Sequence, residues 1–222
     1  MPDQSKARWM RLFSADLLVA AVLCLFSFLV FAFLANEVFA GKAPAFDEAA
    51  FRFFDAFETP GNTRLTLIIT FFGSGYFLFP FYIVLIIYLL TKGRKKYAAM
   101  IAAIAAVSWL LGASLKNIFQ RSRPALPHLD QVSGYSFPSG HSLAAFTFCG
   151  IIITVIWRLT LGKGMKILLS VLFFLFACAI ALSRIYLHVH YASDVLAGFS
   201  VTLIWLSVCF IYFSWDGKKW LV

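Results

Sequence analysis

At 222 residues, 62% hydrophobic and only 13% charged, the chain has too few charges to coat a soluble domain of its size, and it reads as one membrane bundle over 1–222. Its formal charge of +9 stands in short basic clusters between apolar stretches, with no arginine-rich arm or basic-aromatic patch. The charge is therefore assigned to membrane orientation, and nucleic acid is excluded as a partner. Cys24, Cys149, Cys178 and Cys209 all fall inside apolar runs without a C-x-x-C pair and are expected to be small packing residues.

The first apolar run, 12–36, follows Lys6, Arg8 and Arg11 in the manner of a signal peptide. It is too long for a signal core and no small-residue cleavage site follows, so it is expected to stay as a first membrane helix. Residues 46–58 repeat Phe46, Ala49, Ala50, Phe53, Phe54 and Phe57 at helical spacing, with Asp47, Glu48, Arg52, Asp55 and Glu58 filling the other face. That pattern predicts a short amphipathic helix lying on the membrane surface as a brace, ended by Thr59-Pro60-Gly61-Asn62. Further runs at 64–91, 97–117, 141–160, 165–186 and 190–214 are each long enough to cross a hydrocarbon core of about 30 Å. The expected fold is all-α: a six-transmembrane-helix bundle with the amphipathic surface helix between the first two spans.

Lys and Arg in the connections set the orientation. The N-terminus, the 92–96 connection (Lys92, Arg94, Lys95, Lys96), the 158–166 connection (Arg158, Lys163, Lys166) and the C-terminus (Lys218, Lys219) share one side, expected to be the cytoplasm. The acid-rich segment 37–63 and the loops at 118–140 and 184–190 then face outward from a plasma (inner) membrane. Those two loops also carry Arg121, Arg123 and Arg184, against the rule.

The outward charges fall into three groups, each at the outer end of a span. Lys116 is followed by Arg121, Arg123 and Pro124; Ser136-Phe137-Pro138-Ser139-Gly140-His141 opens the fourth span; Ser183-Arg184 ends the fifth, before His190 and Asp194. The cationic side chains suit phosphate oxygens. Backbone N–H groups of Ser139 and Gly140 before a helix would add the positive end of its dipole. His190 and Asp194, four apart, share a face if helical, so the carboxylate can hold one ring nitrogen and free the other to attack. His141 is the second histidine, placed to protonate a departing oxygen. Each residue alone is ordinary, since Arg and Lys snorkel at membrane surfaces and Pro-Ser-Gly often starts a helix. It is their co-location on one side that carries the reading.

These three groups resemble the three-part signature of the type-2 phosphatidic acid phosphatase family, K-x6-R-P, P-S-G-H and S-R-x5-H-x3-D, which shares its helical core with vanadium-dependent haloperoxidases. Lys116, Arg123 and Pro124, then Pro138 to His141, then Ser183, Arg184, His190 and Asp194 fill it without departure, within a signature region of about 116–194. The resemblance implies a phosphohistidine at His190, orientation by Asp194 and leaving-group protonation by His141. It implies phosphate binding by Lys116, Arg123, Ser139, Gly140 and Arg184, with no metal and no cofactor. Arg121, Ser136, His188 and Tyr191 lie beside the motifs as a surrounding layer, Arg121 placed to touch a second phosphate; His128 is expected to be a solvated loop residue.

The implied activity is hydrolysis of a lipid phosphomonoester or diphosphate: undecaprenyl diphosphate, phosphatidylglycerol phosphate or phosphatidic acid. The partners are that lipid and the bilayer, with no obligate protein partner evident. A phosphotransferase passing the phosphate to another lipid is the alternative, and a non-enzymatic lipid-binding or flipping protein a remote one, because no catalytic position is degraded. Haloperoxidase activity does not suit a chain that spans the membrane.

Overall fold

The computed structural model describes residues 15–42 and 45–215. The basic clusters Lys6, Arg8, Arg11 and Lys218, Lys219, and residues 12–14 of the first run, lie outside them. Eight helices follow in order among the described residues: α1 (Ala15–Phe39), α2 (Ala45–Asp55), α3 (Pro60–Phe71), α4 (Gly75–Thr91), α5 (Lys95–Phe119), α6 (Gly140–Ile156), α7 (Lys163–Tyr186) and α8 (Ala192–Trp215). α1, α5, α7, α8 and the stretch Pro60–Thr91 are long and apolar enough to cross a membrane, and α6 is a shorter apolar helix. Leu18, Val22, Leu25, Phe26, Leu29 and Phe33 all stand exposed along α1, as expected of a helix face turned to lipid.

The second span differs from expectation at both ends of its first half. It begins at Pro60 rather than 64, because Thr59 caps it: the Thr59 hydroxyl accepts from Asn62 N (3.2 Å), and Pro60 fits the first helical position, where its missing N–H costs nothing. Thr59-Pro60-Gly61-Asn62 is thus the start of α3 more than the end of α2. The span then breaks at Phe72-Gly73-Ser74 and resumes as α4. A Cβ on Gly73 would sit 2.4 Å from Ile180 Cγ2 and 3.4 Å from His141 Cδ2, so the break lets α3–α4 pass close to α6 and α7.

α8 packs against α1, α2, α5, α6 and α7 and is the axis of the bundle. Small residues set the closest approach. A Cβ on Gly198 of α8 would meet the Ser139 carbonyl at 2.7 Å, so the start of α6 lies directly on α8. Hydrogen bonds tie the apolar interior at intervals: Ser108 to Thr147 (2.8 Å), Thr202 to the Leu143 carbonyl (3.1 Å) and Trp205 Nε1 to the Ile104 carbonyl (3.1 Å). The four cysteines form no disulfide, and Cys149 and Cys209 are buried in the bundle.

α2 is where the amphipathic reading needs correction. Phe46, Phe53 and Phe57 are exposed, whereas Phe51 is buried and Phe54 partly so. Asp47, expected on the polar outer face, is 1% exposed. The aromatic arc is wider than one face: part of it turns to lipid, and Asp47, Phe51 and Phe54, at i, i+4 and i+7, turn to the protein.

Candidate active site

The C-terminal ends of α5 and α7 and the N-terminal ends of α6 and α8 meet at one end of the bundle, joined by the 120–139 and 187–191 connections. That arrangement gathers His190, Asp194, Arg123, Lys116, Ser136, Ser139 and Arg184, and all but Arg123 and Lys116 are buried.

His190 is not on a helix. It lies in the turn before α8, two residues ahead of Ala192, with its N–H bonded to the Arg184 carbonyl (3.2 Å). The pairing expected from helical spacing is nevertheless made, because Asp194 occupies the first turn of α8 and reaches back: His190 Nδ1 is 3.3 Å from Asp194 Oδ2. The same Oδ2 accepts from the Ser136 hydroxyl and from Tyr191 N (3.0 Å). Because the Ser136 proton goes to Asp194, the 3.2 Å contact between Ser136 Oγ and His190 Nδ1 requires the ring nitrogen to be the donor. The neutral ring therefore carries its proton on Nδ1 and its lone pair on Nε2. Arg123 Nη1, which can only donate, stands 3.4 Å from that Nε2.

Burial pulls the His190 imidazole down to about 4, against the upward pull of Asp194, and the nearby Lys116 and Arg123 charges lower it further. The ring is thus neutral near pH 7, with Nε2 unprotonated.

Three cations share this end of the bundle: Lys116 and Arg123 both act on His190, and Arg184 acts on Lys116 and Arg123 in turn. Arg123 is held by carbonyls, its Nε by Gly134 O (3.0 Å), Nη1 by Val189 O (2.7 Å) and Nη2 by Ser133 O (2.8 Å). Lys116 Nζ donates to the Tyr135 carbonyl, and its Cε would lie 3.7 Å from a Cβ on Gly140. Arg184 is 1% exposed: Nη1 donates to Thr70 Oγ1 (2.7 Å) and Asp130 Oδ2 (2.9 Å), while its buried Nε has no hydrogen-bond partner. A buried guanidinium N–H without a partner beside two further cations is the electrostatic signature of a site for an anion. His141, in the first turn of α6, shares this field: Arg184, His190, Lys116 and Arg123 are all its electrostatic neighbours.

Two expectations are revised. The Ser139 N–H does not point to the anion; it bonds the Asp194 carbonyl (3.0 Å), and the Ser139 hydroxyl caps α6 by accepting from Ser142 N (3.4 Å) and the Ser142 hydroxyl (2.9 Å). Gly198 allows that approach, so Ser139 fixes the start of α6, and Gly140 and His141 supply the first-turn N–H groups. Arg121 is not turned to a second phosphate either. Its Nη1 donates to Asp194 Oδ1 (2.6 Å) and Ser193 Oγ (2.7 Å), its Nη2 to Asp47 Oδ2 (3.1 Å), and it lies 3.8 Å over the Tyr191 ring.

Of the remaining residues, Ser136 and Tyr191 contact the pair directly, as above. His188, at φ +57, turns away to Asp55 Oδ1 (2.8 Å) and the Pro127 carbonyl (3.1 Å). His128 is exposed, as expected. Asp47, Thr70, Asp130 and Ser193 are the contributors that motif spacing misses, since all bond motif residues from outside the motifs.

The chain matches the family model described as PAP2 superfamily over residues 96–218, more than half its length. It is similar to phosphatidylglycerophosphatase B of Bacillus subtilis (strain 168), 28% identical over 178 residues, which is 80% of this chain and 88% of that protein. Among solved structures it resembles the transmembrane PAP2 type phosphatidylglycerolphosphate phosphatase from Bacillus subtilis, with a TM-score of 0.76 and 26% identity, covering 89% of this chain and 98% of that one. It also resembles Aquifex aeolicus LpxE, with a TM-score of 0.58 and 28% identity, over 75% of this chain and 94% of that one.

Proposed function

Because this chain belongs to the PAP2 superfamily, as an integral membrane lipid phosphatase, we propose that it hydrolyses the phosphomonoester of a glycerophospholipid, phosphatidylglycerol phosphate first among candidates, through a phosphohistidine at His190. The observation that carries this reading is the His190 ring itself. Its Nδ1 is tied to Asp194 and Ser136, and its Nε2 lone pair faces Arg123 in a pocket of three cations. The substrate preference is supported by the relatives named for phosphatidylglycerol phosphate.

In the proposed reaction Nε2 attacks phosphorus in line with the ester oxygen. The P–O bond to the lipid breaks as the P–N bond forms, and His141 gives its proton to the departing alkoxide. Charge on the equatorial oxygens is met by Arg123, Lys116, Arg184 and the first-turn N–H groups of α6. As the ring gains positive character on phosphorylation, Asp194 stabilises it through Nδ1–H. A water molecule then attacks the phosphohistidine, His141 takes its proton, the P–N bond breaks and inorganic phosphate leaves. The cationic side chains occupy the role that a divalent ion fills in other phosphoryl-transfer sites, so the proposed chemistry is metal-independent.

Purified protein in detergent, given phosphatidylglycerol phosphate, phosphatidic acid and undecaprenyl diphosphate separately, is expected to release inorganic phosphate fastest from the first, with the rate unchanged in excess EDTA. His190→Ala is expected to release none while melting like the wild type. Transfer of label to a second lipid without free phosphate would replace hydrolase by phosphotransferase, and loss in EDTA restored by Mg²⁺ would end the metal-independent reading.

A further inference from the structure

We infer that Asp47, carried into the protein by the surface helix α2, is a positioning residue for the His190–Asp194 pair, acting through Arg121 and Ser193. The inference rests on the proposed role of His190.

On its outer face α2 carries Glu48 and Arg52, paired in solvent. Asp47 alone among its charged residues is buried, at 1% exposure. An isolated buried carboxylate is costly, so its partners have to be strong. It has three. Oδ1 accepts from Ser193 N (2.7 Å), and Oδ2 accepts from Ser193 Oγ (2.7 Å) and Arg121 Nη2 (3.1 Å). Ser193 N belongs to the first turn of α8, where an N–H has no carbonyl of its own helix to bond. Asp47 therefore caps α8 from another helix, at the residue next to Asp194.

The second link is electrostatic. Arg121 holds Asp47 with one terminal nitrogen and Asp194 Oδ1 with the other. Both oxygens of Asp194 are then assigned: Oδ1 to Arg121, and Oδ2 to Ser136, Tyr191 N and His190 Nδ1. That leaves the carboxylate one orientation. Arg121 against Asp194 alone would be a neutral pair and a poor support for a ring gaining positive charge. Asp47 divides the guanidinium between two carboxylates, so the Asp47–Arg121–Asp194 group keeps one net negative charge beside Nδ1. Without Asp47, the full charge of Arg121 falls on Asp194, and the rotation of α8's first turn is no longer set.

Asp47→Asn keeps the shape and removes the charge. In phosphate release from phosphatidylglycerol phosphate it is expected to lower kcat about 10- to 100-fold, by analogy with residues that orient a metal-bound histidine through a hydrogen bond. KM is expected to stay within about twofold, since no phosphate-facing cation is touched. Glu48→Gln, one residue away on the surface, is the control and should match the wild type. Because Asp47→Asn leaves Arg121 short of a partner, which costs stability by itself, Arg121→Gln and the double variant Asp47→Asn/Arg121→Gln complete the cycle. Because Asp47 works partly through Arg121, the double variant is expected to lose less than the product of the two single losses; losses that multiply in full would overturn the link. A kcat within threefold of wild type in Asp47→Asn would overturn the role. An independent readout needs no turnover. The chain has four histidines, so ¹⁵N spectra of labelled protein resolve the His190 ring by comparison with His190→Ala. The wild type should show the Nδ1–H tautomer and Asp47→Asn a mixture; an unchanged tautomer counts against positioning. Should the wild type release no phosphate from any lipid, the proposed activity falls while the tautomer comparison still decides the role of Asp47.

Discussion

At the scale of single residues, the pH response of His190 follows from its surroundings. An ordinary histidine is half-protonated near pH 6.5, but here burial holds the ring down to about 4. In the proposed reaction the attacking form is the neutral one, so protonation is expected to end activity, and a depressed value moves that loss to lower pH. In kcat/KM, once the ionisation of the substrate's own phosphate is divided out, the acid limb set by His190 is expected only toward pH 4, separate from an alkaline limb where His141 loses the proton it must donate. An acid limb, falling as pH drops, near 6.5 would show that the His190 ring is hydrated or differently paired. How far such residues are legible in a sequence depends on the range of the forces that place them. His190 and Asp194 are four apart, and their pairing reads from spacing although His190 precedes the helix. Lys116, Arg123 and Arg184 read from their position against the positive-inside pattern. Asp47 does not read, because its partners are 74 and 146 residues downstream and a charge on a short amphipathic helix looks solvated until the fold brings Arg121 and Ser193 to it.

At the scale of elements, the site depends on how closely α6 and α8 approach. Ser139 is both cap of α6 and donor to the Asp194 carbonyl, and Gly198 makes the contact possible. Gly198→Ala would place a Cβ 2.7 Å from the Ser139 carbonyl, 3.1 Å from Ser142 Cβ and 3.2 Å from Leu143 N, two of them backbone atoms that cannot swing aside. The helices must separate, at a cost of about 1–3 kcal/mol for overpacking, and His141 moves away from His190 with them. The variant is expected to melt at lower temperature and to lose most of its kcat, while Gly61→Ala, with open space around its Cβ, melts and turns over like the wild type. Wild-type melting and rate in Gly198→Ala would mean that the α6–α8 contact does not set the site. The helices themselves were legible because apolar length and capping residues are local properties. The interruption at Phe72-Gly73-Ser74 was not, since its apolar flanks are uniform and the cause, the close passage of Ile180 and His141, comes from other helices.

At the scale of the whole molecule, charge distribution and fold together support one proposed orientation. The α4–α5 connection carries Lys92, Arg94, Lys95 and Lys96, and the α6–α7 connection and the start of α7 carry Arg158, Lys163 and Lys166. At the opposite end, the basic residues that seemed to break the rule are turned inward. Arg121 is bound to Asp47 and Asp194, Arg184 to Asp130, and Arg123 and Lys116 to backbone carbonyls. They belong to the site more than to the loops that positive-inside counts, so the pattern stands, and the proposed orientation puts the site on the outer face of the membrane. Single cysteines at comparably exposed positions test it in a background whose four native cysteines are replaced. Leu126 is 39% exposed in the 120–139 connection at the site's end, and Leu161 is 38% exposed between α6 and α7. A membrane-impermeant maleimide added to intact cells is expected to label Leu126→Cys and to reach Leu161→Cys only after permeabilisation. The reverse pattern would put His190 in the cytoplasm, and the lipid it dephosphorylates would then have to present its phosphate from the inner leaflet.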